Sequence, residues 1–277
     1  MSYKRILTIQ DISCLGQCSL AVALPVISAC GHETCIIPSA VLSTHTGNFT
    51  GYTFRDLSED IPCIMRHWEK EKISFDAIYT GYLGRASEVA YVLDIFRHLL
   101  KPDGKIIVDP AMGDNGKLYR GFDADYAETM KELCSAADVL LPNVTEAAIL
   151  TGHEYRKVCG REYTDALARD LKNLGAGAVV ITGVSYEEDS TGVCAYSDDG
   201  YKYFKHRKIP RMFHGTGDLY ASSFTGAYLR GKSLFEAAEI AEDFTVEAIN
   251  NSLDDEKHWY GTKFETALPF LMRRLGL

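Results

Sequence analysis

The residues best suited to chemistry lie in the stretch Phe213-His214-Gly215-Thr216-Gly217-Asp218-Leu219-Tyr220. Two glycines flank a threonine, an aspartate follows, and an apolar run of small residues begins at once. Tyr220, Phe224, Ala227 and Tyr228 recur at helical spacing, which puts the aspartate at or beside the first turn of a helix. Backbone N–H groups there have no partner inside the helix, and the helix end carries partial positive charge. Glycine lets backbone approach an anion closely. An aspartate beside such a cradle can take the proton of a hydroxyl that attacks a phosphate. Asp is equally a favoured helix cap and Gly-Thr-Gly an ordinary turn, so the stretch alone leaves both readings open.

The elements that must position this stretch alternate along the chain. Lys4–Gln10, Glu33–Pro38, Asp76–Thr80, Lys105–Val108, Asp138–Leu141 and Ala178–Thr182 read as strands. Leu20–Cys30, Leu57–Lys72, Ser87–Leu100, Asp123–Ala136, Thr145–Thr151 and Thr164–Leu174 read as helices. Such alternation predicts an α/β fold with a mainly parallel sheet and helices on both faces. Ligands of these sheets bind at the carboxyl ends of the strands. Asp11, Gly81-Tyr82, Asp109, Asn143 and Thr182 follow the strands and are expected to converge on one edge. Gly192–Tyr196 and Tyr201–Arg207 flank Ser197-Asp198-Asp199-Gly200 and predict a small antiparallel addition at the sheet edge. A helix runs from the opening stretch to about Arg230. Ser233–Asn250 follows with a Ser233/Glu236 capping box, and Lys263–Leu275 closes the chain. Ser39–Tyr52 is rich in Ser, Thr, Gly and His without periodicity, a loop that is either functional or plain surface. No repeat, linker or low-complexity segment interrupts residues 1–277, which read as one domain.

The 277 residues carry a formal charge of −9, with 46% hydrophobic and 24% charged residues. A chain of this length buries a core without metal or disulfide staples. Its acidity argues against nucleic acid or an anionic membrane as partner, but not against a nucleotide held by backbone donors. Met1–Ile6 leads straight into a strand and no apolar run reaches membrane length, so a cytoplasmic protein is expected. The eight cysteines, Cys14, Cys18, Cys30, Cys35, Cys63, Cys134, Cys159 and Cys194, form no Cys-x-x-Cys pair. Free thiols are expected, and Cys30-Gly-His32-Glu33-Thr-Cys35 lacks the second ligand pair of a zinc site. His45, His214 and His258 have no spacing that suggests ligation and read as non-catalytic.

Seven motifs in order carry a resemblance across nearly the whole chain. They are Ile6-Leu7-Thr8-Ile9-Gln10, Leu42-Ser43-Thr44-His45-Thr46-Gly47, Thr80-Gly81-Tyr82-Leu83-Gly84, Val108-Asp109-Pro110-Ala111-Met112-Gly113-Asp114, Pro142-Asn143-Val144-Thr145-Glu146, Val179-Val180-Ile181-Thr182 and Gly215-Thr216-Gly217-Asp218. Together they resemble the pyridoxal kinases, the vitamin B6 branch of the ribokinase-like superfamily. The resemblance implies a three-layer αβα sandwich, ATP-dependent phosphorylation of the 5′-hydroxyl of pyridoxal, pyridoxine or pyridoxamine, and a homodimer. It implies Asp218 as the base and Gly215, Thr216 and Gly217 as the anion hole. It assigns Asn143 and Glu146 to magnesium and the ATP phosphates, partly through water, and Thr182 to the nucleotide. Asp109 and Thr182 are implied as contacts of a monovalent cation such as potassium. Asp114–Phe122, with Asn115-Gly116 and Tyr119, resembles the mobile flap over ATP, and Thr46 and Tyr82 resemble pyridine-ring contacts. Asp11 departs from the serine of better-known pyridoxal kinases. A carboxylate there accepts a hydrogen bond from a protonated pyridine nitrogen, alters vitamer choice, or serves as a turn or cap residue. Ser13-Cys14-Leu15-Gly16-Gln17-Cys18 replaces a glycine-rich segment. Hydroxymethylpyrimidine or its phosphate, dual specificity, and a non-catalytic B6- or nucleotide-binding protein are the alternatives.

Overall fold

The structure is a computed structural model that describes residues 3–277. The chain divides into two compact units, Met1–Lys105 with Arg211–Leu277, and Ile106–Pro210. In chain order the first segment forms β1 (Arg5–Ser13), α1 (Leu20–Ala29), β2 (Glu33–Leu42), β3 (Phe54–Asp56), α2 (Ile61–Lys70), β4 (Phe75–Thr80), α3 (Ala86–Leu99) and β5 (Leu100–Val108), within which the division falls. The second unit continues with β6 (Gly113–Asp114), β7 (Lys117–Leu118), α4 (Ala124–Ser135), β8 (Val139–Leu140), α5 (Val144–Thr151), α6 (Arg161–Leu174), β9 (Ala178–Ile181), β10 (Ser190–Ser197) and β11 (Gly200–Arg207). The chain then returns to the first unit as α7 (Thr216–Leu229), α8 (Leu234–Asn250) and α9 (Leu268–Leu275).

In the first unit β1 lies between β4 and β2, parallel to both, and β3 adds antiparallel to β2. Residues Ile6 to Gln10 of β1 are all buried although their side chains alternate between faces, so helices cover both sides of this strand. One helical group is α1 against α7 and α7 against α8; α2 packs with α3. Phe75, Tyr79, Phe224 and Phe244 are fully buried at the centre of this core. In the second unit β8 pairs parallel with β5 and β9, and the β10–β11 hairpin adds antiparallel to β9.

The expected α/β alternation, mainly parallel pairing and antiparallel hairpin are all present. The differences have local causes. Part of the expected loop Ser39–Tyr52 belongs to β2, which runs to Leu42 because β3 supplies an antiparallel partner. The helix expected from Leu57 begins at Ile61 with Pro62 in its first turn, after a 3-10 turn over Ser58–Asp60. The last helix likewise begins only at Leu268, ahead of Pro269, after a 3-10 turn over Phe264–Thr266. β5 starts at Leu100 rather than Lys105.

The α1–α7 contact is close because residue 226 has no side chain. A Cβ there would lie 2.4 Å from Cys30 Sγ. The Gly226 carbonyl also bonds the buried His32 ring at 3.1 Å. Gly226→Val is expected to cost about 1–3 kcal/mol, the range for overpacked cores. A lower urea midpoint with an unchanged slope checks this; an unchanged midpoint would show that the two helices can part freely.

Candidate active site

Asp218 is the third residue of α7, and Gly215 holds the N-cap with φ 75°. The capping alternative is therefore resolved: glycine takes the cap, and the aspartate stands in the first turn. A Cβ on residue 215 would lie 1.7 Å from the Gln17 carbonyl oxygen and 3.2 Å from Cys18 Sγ. Both the positive φ and this approach require glycine. Beside Gly217 a Cβ would meet nothing within 4 Å, so the space next to the first turn is open. Burial pushes the Asp218 carboxyl up to about 7; the Ser19 N–H favours its charged form, and the Asp11 carboxylate opposes it.

Asp11 lies inside β1, which continues past the expected end at Gln10. It occupies a register shift between Gln10 and Ile12 and is 5% exposed, so the turn and cap readings fall away. Its carboxylate accepts the Ser13 hydroxyl at 3.2 Å. Burial raises its pKa, while the hydroxyls of Ser19 and Ser13 oppose the rise. Burial also pushes the Tyr82 phenol up to about 12, with the charges of Asp11, Glu88 and Tyr52 adding to the effect. Asp11, Tyr82 and Asp218 thus share one electrostatic neighbourhood, with Asp11 acting on both of the others. Cys18 sits there too: burial, then Asp218 and Asp11, keep it a thiol rather than a nucleophilic thiolate.

Thr46 stands exposed in the loop after β2. Its neighbour His45 is buried and neutral, with Nδ1 accepting the Gly47 N–H at 3.0 Å and Nε2 donating to the Tyr260 carbonyl at 2.9 Å. Burial lowers its pKa. The ring fills the space a side chain on Gly16 would need, 2.2 Å from such a Cβ. Both ring nitrogens are engaged, so His45 fixes two loops and is not a base.

Ser19 was not singled out in the sequence. It caps α1 with φ 53° and ψ −132°, a positive φ rare outside glycine, and bridges to Ile12. Its N–H faces Asp218 and its hydroxyl Asp11. A hydroxyl residue immediately before the apolar run Leu20-Ala21-Val22 was the available signal.

The second unit holds the remaining assigned residues. Asn143 caps α5 in a capping box with Glu146, and its amide donates to the Gly113 carbonyl at 2.8 Å. Glu146 is buried; Oε1 accepts the N–H of Met112 at 2.9 Å and of Gly113 at 3.3 Å, and Oε2 that of Asn143 at 2.9 Å. Burial pushes its carboxyl up to about 7 against these donors. Asp109 is buried beyond the end of β5 and accepts the Ala111 N–H at 3.0 Å across Pro110. Thr182 follows β9 and pairs with Asn143 as an isolated parallel bridge. Residues 109, 143 and 182 therefore lie at the carboxyl ends of adjacent strands, as expected for a ligand edge. Asp114 and Tyr119 belong to the β6–β7 hairpin region; positive φ at Asn115 and Gly116 gives it a type I′ turn. The Gly116 N–H donates to Thr145 Oγ1 at 2.9 Å, which fixes the tip on α5. Asp114 accepts its neighbour Asn115, and Tyr119 is exposed.

The chain matches the family model described as phosphomethylpyrimidine kinase over residues 29–262. It is similar to a solved pyridoxal kinase from Lactobacillus plantarum, with 30% identity, a TM-score of 0.90 and 98% of each chain covered. A Bacteroides thetaiotaomicron protein, crystallised with pyridoxal and provisionally described as a phosphomethylpyrimidine kinase, is 35% identical. It covers 98% of this chain and 96% of its own, with a TM-score of 0.92. The pyridoxine/pyridoxal/pyridoxamine kinase of Bordetella avium is 29% identical over 259 residues, covering 88% of this chain and 84% of the relative. With its α/β fold, its glycine-capped helix and these relatives, the chain belongs to the family of phosphomethylpyrimidine and pyridoxal kinases.

Proposed function

We propose that this kinase phosphorylates the 5′-hydroxyl of pyridoxal, pyridoxine or pyridoxamine with ATP as donor, residues 1–277 working as one kinase domain. The observation that carries the proposal is Asp218 itself. It is a carboxyl titrating near neutrality beside an open glycine turn and sharing its surroundings with Asp11 and Tyr82. Ionised Asp218 accepts the hydroxyl proton as the oxygen attacks phosphorus, and the N–H groups of Gly215, Thr216 and Gly217 stabilise charge on the phosphoryl group. Tyr82 offers a ring face and Thr46 a second contact to the pyridine, while Asp11 accepts from its protonated nitrogen.

ATP is assigned to Asp109, Asp114, Tyr119, Asn143, Glu146 and Thr182. Asn143 and Glu146 serve it by shaping the backbone of residues 112–113, since their side chains are engaged there. Among the described residues no three His, Cys, Asp or Glu side chains gather as a metal cluster. With its oxygens taken by N–H groups, Glu146 suits magnesium through water, the manner in which that ion is commonly held. Bound magnesium neutralises phosphate charge. Asp109 and Thr182 are the proposed contacts of a monovalent cation. No helix among the described residues is long and apolar enough to cross a membrane, and a cytoplasmic homodimer is part of the proposal.

A second reading, phosphorylation of hydroxymethylpyrimidine or its phosphate, is favoured by the family-model match. ADP release from Mg-ATP with each B6 vitamer and with hydroxymethylpyrimidine separates the two. Turnover of a vitamer is expected, and turnover of the pyrimidine alone would reverse the assignment. Asp218→Asn is expected to lower kcat by about 100-fold or more with ATP binding retained. In the wild type kcat/KM should fall as pH drops below about 7, because the base must be ionised. A carboxyl whose pKa is raised on folding contributes stability at low pH that is lost as pH rises through its folded value. Asp218→Asn should therefore raise Tm at pH 8 while it lowers kcat. An unchanged kcat would remove Asp218 as the base. Asp11→Asn should raise KM for pyridoxal about tenfold with a smaller change in kcat, by removing a charge-assisted hydrogen bond. Steady-state kinetics checks it, and an unaltered KM would detach Asp11 from the substrate.

A further inference from the structure

Glu88, in the first turn of α3, is 1% exposed and takes no part in the reaction described above. Its Oε2 accepts the Gly84 N–H at 2.9 Å. Its Oε1 lies 2.6 Å from the Ser58 hydroxyl, and that same hydroxyl lies 2.5 Å from Asp56 Oδ1. A serine hydroxyl has one proton and can donate to only one of two carboxyl oxygens. Both separations are those of hydrogen bonds to a carboxyl, about 2.5–2.7 Å, so the second one needs a proton from a carboxylic acid. Asp56 is the charged partner. The Ser58 hydroxyl, then the Ser58 N–H at 2.8 Å and the Arg85 guanidinium at 2.5 Å, hold it below its ordinary range. The proton is therefore on Glu88. Glu88 Oε1–H donates to Ser58 Oγ, and Ser58 Oγ–H donates to Asp56 Oδ1.

Gly84 ends the loop Gly81–Gly84 that carries Tyr82 between β4 and α3. A Cβ on Gly84 would be 3.9 Å from Glu88 Oε1 and 4.0 Å from Tyr82 Cε1, so the acid and the tyrosine flank the same backbone. We propose that Glu88 is a positioning residue: as a neutral acid it ties this loop to Ser58 and Asp56 and so holds Tyr82 in the geometry that receives the pyridine ring. The inference rests on the proposed role of Tyr82.

Burial is the main cause that pushes the Glu88 carboxyl up to about 7; Asp56 adds to it, and the Ser58 hydroxyl and the N–H groups of Gly84 and Arg85 oppose it. The titratable groups that bear on the network are Asp56 and Arg55 from β3, Arg85 before α3, and Tyr82 with Tyr52. A pKa raised on folding means stability that is complete at low pH and lost as pH rises through about 7. Deprotonation leaves two carboxylates sharing one hydroxyl proton; Glu88 keeps the Gly84 N–H, but its link through Ser58 to Asp56 breaks, and the loop is no longer tied to them.

The test is pyridoxal binding by calorimetry from about pH 6 to 9, with ligand-free thermal unfolding over the same range, for wild type, Glu88→Gln and Glu88→Ala. The glutamine amide reproduces the neutral acid, donating to Ser58 and accepting from Gly84. Its Kd should match the wild type at pH 6, and by pH 9 the wild type should bind about tenfold more weakly than Gln, as its competent fraction falls. The wild-type Tm should likewise drop against that of Gln. Glu88→Ala should bind weakly at every pH. Pyridoxal's own titration cancels in the ratio. A wild-type to Gln Kd ratio that stays flat, a Gln variant unfolded throughout, or an Ala variant with wild-type binding would overturn the proposal. ADP release, measured in parallel, keeps the two readings apart. A flat ratio with normal turnover defeats the role of Glu88 alone, whereas no pyridoxal binding at all defeats it together with the substrate assignment.

Discussion

The backbone of Gly215 approaches the Gln17 carbonyl so closely that no side chain fits between them. This contact joins the start of α7 to the loop between β1 and α1. With the join made, Asp218 meets the Ser19 N–H and comes under the charge of Asp11. Neither carboxylate is next to the other in sequence, and neither is placed by its own element alone. The positive φ of Ser19 has the same origin: the loop must turn its N–H towards one carboxyl and its hydroxyl towards the other while it also caps α1. Strain of this kind persists where surrounding contacts over-determine it.

Burial then sets the chemistry of the neighbourhood. Asp218, Asp11, Tyr82 and Cys18 are all shifted towards their neutral forms, and removal from water is the first cause in every case. The thiol is thereby silenced while the carboxyl of Asp218 is brought to neutrality, because a thiol starts from a much higher pKa. A single environment leaves one group able to exchange protons near pH 7 and removes another from that range. His45 contributes through geometry: its ring nitrogens bind the Gly47 N–H and the Tyr260 carbonyl, which keeps it neutral, while its ring packs on Gly16 of the loop after β1.

In the second unit the polar groups are organised by backbone instead. Glu146 accepts three N–H groups and Asn143 both accepts and donates, so the side chains are absorbed in holding residues 112–113 and the start of α5. Asn143 and Glu146 form a capping box that starts α5. The Asn115-Gly116 turn follows from composition, since type I′ geometry requires positive φ at both positions.

The α/β class, the parallel strands, the edge hairpin and the helix that begins near Asp218 were legible in the sequence, because hydrophobic period and turn residues are local signals; that Gly215 rather than Asp218 takes the cap was decided by the structure. Strand ends at Asp109, Asn143 and Thr182 were legible for the same reason. Element starts at Ile61 and Leu268 were not, since the helical pattern continued upstream while proline and 3-10 turns delayed the helix. Asp11 looked like the residue after a strand and is inside one, because a register shift against β2 extends the pairing. Ser19 carried only a helix-cap signal and Glu88 none. Their importance comes from partners 199 and 30 positions away, Asp218 and Ser58, and only folding brings those atoms together. By itself the sequence determined which residue types could do chemistry and on which element ends they stand. Tertiary structure decided which carboxyls are brought together and where the protons reside, because desolvation and hydrogen-bond counts exist only once distant segments have packed.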